Sequence, residues 1–125
     1  MDNKHGSSKK SKNVIESFKY AFTGILTTIK NERNIRIHFS VMLLVIIFGI
    51  IFNLELIEWT ICVVLFVVVL AGEMINTAIE NVVDLASPEI NEKAKIAKDV
   101  AAGAELILAI GSAIVGLLIF IPKIF

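Results

Sequence analysis

Cysteine is nearly absent: Cys62 stands alone inside an apolar run, which excludes an intrachain disulfide and leaves the redox compartment open. Charge is scarce as well. Only 19% of the 125 residues are charged, while 56% are hydrophobic, above the ~45–50% of an ordinary soluble domain. A chain this short has too little interior to bury the excess, because small proteins carry much surface for their volume. The bilayer is the natural solvent for it. Local signatures of several chemistries are also missing: there is no GxxxxGK(S/T) or GxGxxG phosphate cradle, no zinc-type spacing and no Ser, His, Asp order. Residues 1–13 are polar and basic without a cleavable apolar core, so the first apolar run is expected to remain as a span.

What the sequence does contain is three apolar runs, each near the ~20 residues that a helix needs to cross the hydrocarbon. Transmembrane helices are expected at about 36–54, 57–85 and 98–121. Before them, Val14, Phe18, Phe22, Ile25 and Ile29 recur at helical spacing opposite Glu16, Lys19, Thr23, Thr27 and Lys30. That pattern predicts an amphipathic helix over 13–31 lying on the membrane surface, with Asn13 as its N-cap. Residues 1–12, rich in Lys, Ser and Asn, are expected to form a disordered tail. The fold class is thus an all-α membrane protein, one surface helix and three transmembrane helices, in a single domain over 13–125. Ser87-Pro88 should end the second span, leaving a polar loop of about a dozen residues before the third. Eight of the twelve Lys and Arg precede the first span, three lie between the second and third, and the link between the first and second holds none. The positive-inside rule therefore predicts a cytoplasmic N-terminus and second loop, and a C-terminus outside.

The segment GEMINTAIENVVD places carboxylates where the second span should still be apolar. At about 100° per residue, Glu73, Asn76, Glu80 and Asp84 fall within an arc of roughly 80°, opposite Ile75, Ala78, Ile79 and Val82. Charges at membrane depth cost several kcal/mol each and usually pair or serve function. Glu32 before the first span, and Lys98 and Asp99 at the entry of the third, are expected on the same membrane face. Two or three carboxylates, an amide and a lysine would suit Mg²⁺ and phosphate. The stripe alone leaves three readings open: a catalytic or metal site, ion or substrate translocation, and assembly. Elsewhere the bland readings win. His38 reads as an interfacial anchor, Trp59 as an aromatic-belt residue and Asp84 as a solvated helix end. Glu105, seven residues after Lys98, reads as a counter-ion on the same face. Small residues along the third span permit close helix approach, and three helices enclose a polar site only thinly, so a homo-oligomer is expected.

The order "NE" before the first span, GEMINTAIENVVDL leaving the second and AKIAKDVAAGA entering the third resembles the prokaryotic diacylglycerol kinase and undecaprenol kinase family, over nearly the whole chain from Val14 to Phe125. The resemblance implies small trimeric membrane enzymes that transfer the γ-phosphoryl group of ATP to a lipid alcohol. By that resemblance Glu73 is the general base, with Asn76 beside it and Lys98 completing the catalytic set. Glu32 and Glu80 are the metal pair, for Mg²⁺. Tyr20, Glu32, Glu80, Glu89, Asn91, Lys98 and Asp99 contact ATP, and Glu73 and Ala102 contact the lipid. The expected partners are ATP, a membrane lipid and two further copies of the chain, in a bacterial cytoplasmic membrane, with no nucleic acid. ERNIRIH and KDVAAGA look closer to the branch that prefers undecaprenol, with diacylglycerol as the alternative lipid and a small proton-coupled transporter as the non-kinase alternative. Glu105 departs from the pattern, which usually has an apolar residue there.

Overall fold

The computed structural model describes residues 10–125, which form four helices: α1 Lys10–Asn31, α2 Arg33–Ile51, α3 Leu56–Ala86 and α4 Glu92–Ile124. There is no strand among the described residues, and α2, α3 and α4 are each long and apolar enough to cross a membrane. The expected disordered tail lies outside the described residues up to residue 9, but residues 10–12 belong to α1. Asn13 is therefore not an N-cap. It sits inside the helix, since lysine propagates a helix readily and nothing in KSK interrupts it.

One residue separates the surface helix from the first span. Glu32 takes an extended conformation, φ −106° and ψ 118°, while its amide still donates to the Thr28 carbonyl at 2.8 Å. The carbonyls that α1 leaves open at its C-terminus are met by Arg36, whose Nη1 donates to the Ile29 and Lys30 oxygens at 3.0 and 2.8 Å. Arginine in the first turn of α2 thus holds the bend that places Glu32 at the head of the bundle.

The first span ends at Ile51, three residues earlier than its apolar run suggests. Asn53 adopts φ 53°, the left-handed conformation that asparagine tolerates better than most residues. Its amide donates to the Ile50 carbonyl and that of Leu54 to the Gly49 carbonyl, the paired bonds of a Schellman ending. Immediately afterwards Glu58 accepts from the Glu55 amide at 2.9 Å and starts α3. Beyond α3, only Ser87–Asn91 connect to α4. The expected dozen-residue loop is shorter because Asn91 caps α4, accepting from the Lys93 and Ala94 amides at 2.8 and 3.4 Å. Residues 92–98 are mostly glutamate, lysine and alanine, all good helix formers, so they extend the third span.

At about 1.5 Å per residue α3 is roughly 46 Å long, well over the ~30 Å of the hydrocarbon core. A span that starts at Leu56 leaves the hydrocarbon around Asn76, which brings the polar stripe out at the far interface. The opposite end of the bundle is packed with apolar side chains: Leu54, Cys62 and Ile119 are buried against Val45, Trp59, Phe66, Val115 and Phe120. Phe52 stacks on Phe48 and meets Phe120 edge-on, with centroids 6.3 and 6.4 Å apart. Lys123 reaches Glu58 at 2.9 Å and ties the end of α4 to the start of α3.

Gly49 is where α2 meets this cluster. A Cβ there would stand 2.5 Å from Trp59 Cη2 and 2.9 Å from Leu54 Cδ1, too close for either to stay in place. Gly49→Ala is expected to cost about 1–3 kcal/mol of overpacking. An SDS titration in mixed micelles measures it, and an unchanged midpoint would show that the corner yields freely.

Candidate functional site

The polar stripe of α3 turns inward. Glu73 is 2% exposed and Asn76 8%, so the most polar face of the span is the one that the bundle covers. Asn76 Nδ2 donates to Glu80 Oε1 at 3.3 Å, one turn further along. Oε2 of Glu73, Oδ1 of Asn76 and Oγ1 of Thr77 are buried with no hydrogen-bond partner. A buried polar atom left without a partner costs about 1–3 kcal/mol, so such a cluster marks a place built to receive something.

Glu32 at the α1–α2 bend and Glu80 both stand near enough to act on the charge of Glu73, and the Asn34 side chain lies within reach of it. Glu32 stands at the head of α2, and Glu80 on α3 lies seven residues beyond Glu73. At the entry of α4, Lys98 Nζ binds Asp84 Oδ1 at 2.6 Å, and Asp99 is held by Lys95 at 2.6 Å within its own helix. Asp84 is thus not merely a solvated helix end: it anchors Lys98 across the connection. Lys98 and Asp99, adjacent in sequence, leave α4 toward different partners.

The other expected contacts are more dispersed. Tyr20 is largely exposed on α1, beside Asn13, Glu16 and Ser17 around a shallow recess. Asn91 spends its side-chain oxygen on the α4 cap, and the Glu89 carbonyl accepts from Ser87 Oγ at 3.1 Å. Ala102 is exposed, next to the buried Ala101.

Two residues belong to the site that the sequence placed elsewhere. His38 is no simple interfacial anchor, because its Nε2 lies 3.3 Å from Glu105 Oε1. Glu105 is no counter-ion to Lys98. It is 8% exposed and crosses onto α3, where it approaches Glu73. Its room comes from Gly72, where a Cβ would overlap Leu108 Cδ1 and stand 2.6 Å from Glu105 Oε2. The signal available beforehand was the single carboxylate in an otherwise apolar stretch; which helix it faced was not readable.

Residues 19–120 match the family described as prokaryotic diacylglycerol kinase. The chain belongs to that family. It is 43% identical to the undecaprenol kinase of Bacillus subtilis (strain 168) over 109 residues, covering 87% of this chain and 89% of that one. It is 39% identical to a diacylglycerol kinase of Synechocystis sp. (strain ATCC 27184 / PCC 6803 / Kazusa) over 113 residues, 90% of this chain and 65% of the other. A diacylglycerol kinase of Sinorhizobium sp. matches at 47% over 51 residues, 41% of this chain and 37% of that one. The chain is a lipid kinase of the membrane.

In this kinase the Lys98–Asp84 pair is open to water, with the two side chains 39% and 63% exposed. Exposed pairs of this kind contribute little to stability, because water screens them. Lys98→Met is therefore expected to leave the unfolding midpoint nearly unchanged, as thermal melting in detergent will measure. A collapse of folding would show that the pair carries the α3–α4 connection.

Proposed function

We propose that the chain transfers the γ-phosphoryl group of ATP to the hydroxyl of undecaprenol, giving undecaprenyl phosphate, at a cytoplasmic-face site around Glu73. The observation that carries the reading is a carboxylate 2% exposed at the end of a span, with Oε2 unpartnered and turned toward the bundle interior. A lipid alcohol arriving from the bilayer presents its O–H at that depth. Glu73 takes the hydroxyl proton as the oxygen attacks the γ-phosphorus; the bond from that phosphorus to the bridging oxygen breaks, and ADP leaves. Asn76 donates to Glu80 and holds that carboxylate beside the base. Lys98 steadies the transferring group. Its exchange of Asp84 for phosphate is inexpensive because the pair it leaves is solvated.

The donor set fits a hard cation. Glu32 and Glu80 offer only carboxylate oxygens, the ligands Mg²⁺ prefers, and would hold it together with the ATP phosphates. When bound, Mg²⁺ neutralises phosphate charge. Tyr20, Glu89, Asn91 and Asp99 complete the nucleotide contacts and Ala102 borders the lipid. The apolar side chains that α2, α3 and α4 leave exposed suit both lipid and neighbouring copies; the assembly proposed is a homotrimer with shared sites. The lysine-rich head of the chain supports the cytoplasmic orientation. Undecaprenol is preferred to diacylglycerol because the relative matched along most of both chains carries that name.

Purified protein incubated with γ-labelled ATP, Mg²⁺ and either lipid tests this: label should appear faster in undecaprenol, and faster labelling of diacylglycerol would reverse the assignment. Glu73→Gln is expected to lower kcat by at least about 100-fold with ATP affinity nearly unchanged, and retained turnover would remove Glu73 as the base. Glu80→Ala should weaken Mg²⁺-ATP binding in calorimetry, and an unaltered affinity would take Glu80 out of the metal shell.

A further inference from the structure

His38, Glu73 and Glu105 form a cluster that the phosphoryl-transfer reading does not use as a unit. They come from α2, α3 and α4, and one ligand atom from each lies within 4.8 Å of the others. The two carboxylates are 2% and 8% exposed; Oε2 of Glu73 and both oxygens of Glu105 lack a hydrogen-bond partner. His38 Nε2 and Glu105 Oε1 are 3.3 Å apart without satisfying those oxygens. We propose that these three residues form a site for a borderline-soft divalent cation of the zinc type, separate from the Glu32–Glu80 pair, and that its occupation suppresses phosphoryl transfer.

The donor chemistry separates the two sites. One imidazole nitrogen and two carboxylate oxygens match Zn²⁺ and its first-row neighbours, whereas Mg²⁺ takes hard oxygens and keeps its water. Zinc bonds of about 2.0–2.2 Å in a tetrahedron set neighbouring ligand atoms roughly 3.4 Å apart. The His38–Glu105 edge, at 3.3 Å, already has about that length, and the remaining edges, within 4.8 Å, need side-chain closure of at most about 1.4 Å. Three protein ligands leave a fourth position open. Gly72 supplies the space, since a side chain there would push Glu105 off α3.

The inhibitory half rests on the reading of Glu73 as base: a carboxylate bound to zinc shares its negative charge with the metal and is a far weaker base toward the lipid hydroxyl. The binding half does not. Both are tested on the tag-free, full-length protein in detergent, first without ATP or lipid. Zinc-edge X-ray absorption of the unmodified protein loaded with one equivalent of Zn²⁺ should find one imidazole among the nearest ligands. An oxygen-only shell would put the metal at Glu32 and Glu80 and overturn the site. Competition titration with Zn²⁺ should weaken at least about tenfold in Glu105→Gln and in His38→Gln, and equal affinity in both would also overturn it. In the kinase assay, Zn²⁺ should slow the unmodified enzyme at concentrations that leave each variant near its own zinc-free rate. Zinc bound with an imidazole ligand but without inhibition would overturn the inhibitory half. The zinc-free Glu73→Gln measurement tests the base assignment separately, so the two failures are distinguishable.

Discussion

The register of α4 against α3 is the constraint on which the rest of the molecule depends. The two helices run antiparallel, and their polar contacts step along them in opposite numbering: Glu58 with Lys123 at one end, Glu73 with Glu105 in the middle, Asp84 with Lys98 at the other. In lipid, apolar contact gives little preference for one register over another, because hydrocarbon is as good a neighbour as leucine. Polar pairs supply the preference. The end pairs are worth little individually where water reaches them, but a slip by one residue would strand Glu73 and Glu105 toward lipid, at several kcal/mol each. Gly72 lets that middle contact form by leaving space for the Glu105 side chain against α3.

From this register follows the division of the bundle. The half around Leu54, Cys62 and Ile119 is apolar and aromatic and is closed by the Schellman ending at Asn53. The other half holds buried polar atoms with no partner, and the surface helix folds over it at Glu32 under the control of Arg36. Apolar packing is concentrated at one end and buried polar groups at the other. That division suits a lipid kinase, whose alcohol arrives from within the bilayer and whose nucleotide arrives from water.

Much of this was legible in the chain because helical periodicity is a strong local signal. Glu73, Asn76 and Glu80 share a face by arithmetic alone, and the motif order around them identifies the family. Boundaries were less legible. Asn91 as a cap and Asn53 in the left-handed region each moved a helix end by several residues, because capping depends on one dihedral rather than on a pattern. Least legible were His38 and Glu105. Their meeting is a property of three helices packed together, and Glu105 lies on the same face as Lys98 whether it answers Lys98 or Glu73. Only the register between α3 and α4 separates those cases.

That distinction changes what Glu105 means. As a partner for Lys98 it would be a neutralised pair near the interface, costing little and doing little. Set against Glu73 it adds a second acidic group to one that is already buried, with an imidazole as the nearest cationic candidate. An apolar side chain at that position would pack between α3 and α4 with no such cost, so stability does not account for the glutamate. What remains is that the carboxylate acts on its neighbours: it constrains where Glu73 can point, and with His38 it completes a set of donors that a cation other than Mg²⁺ can use. The group that most burdens the fold is thus the one best placed to govern Glu73.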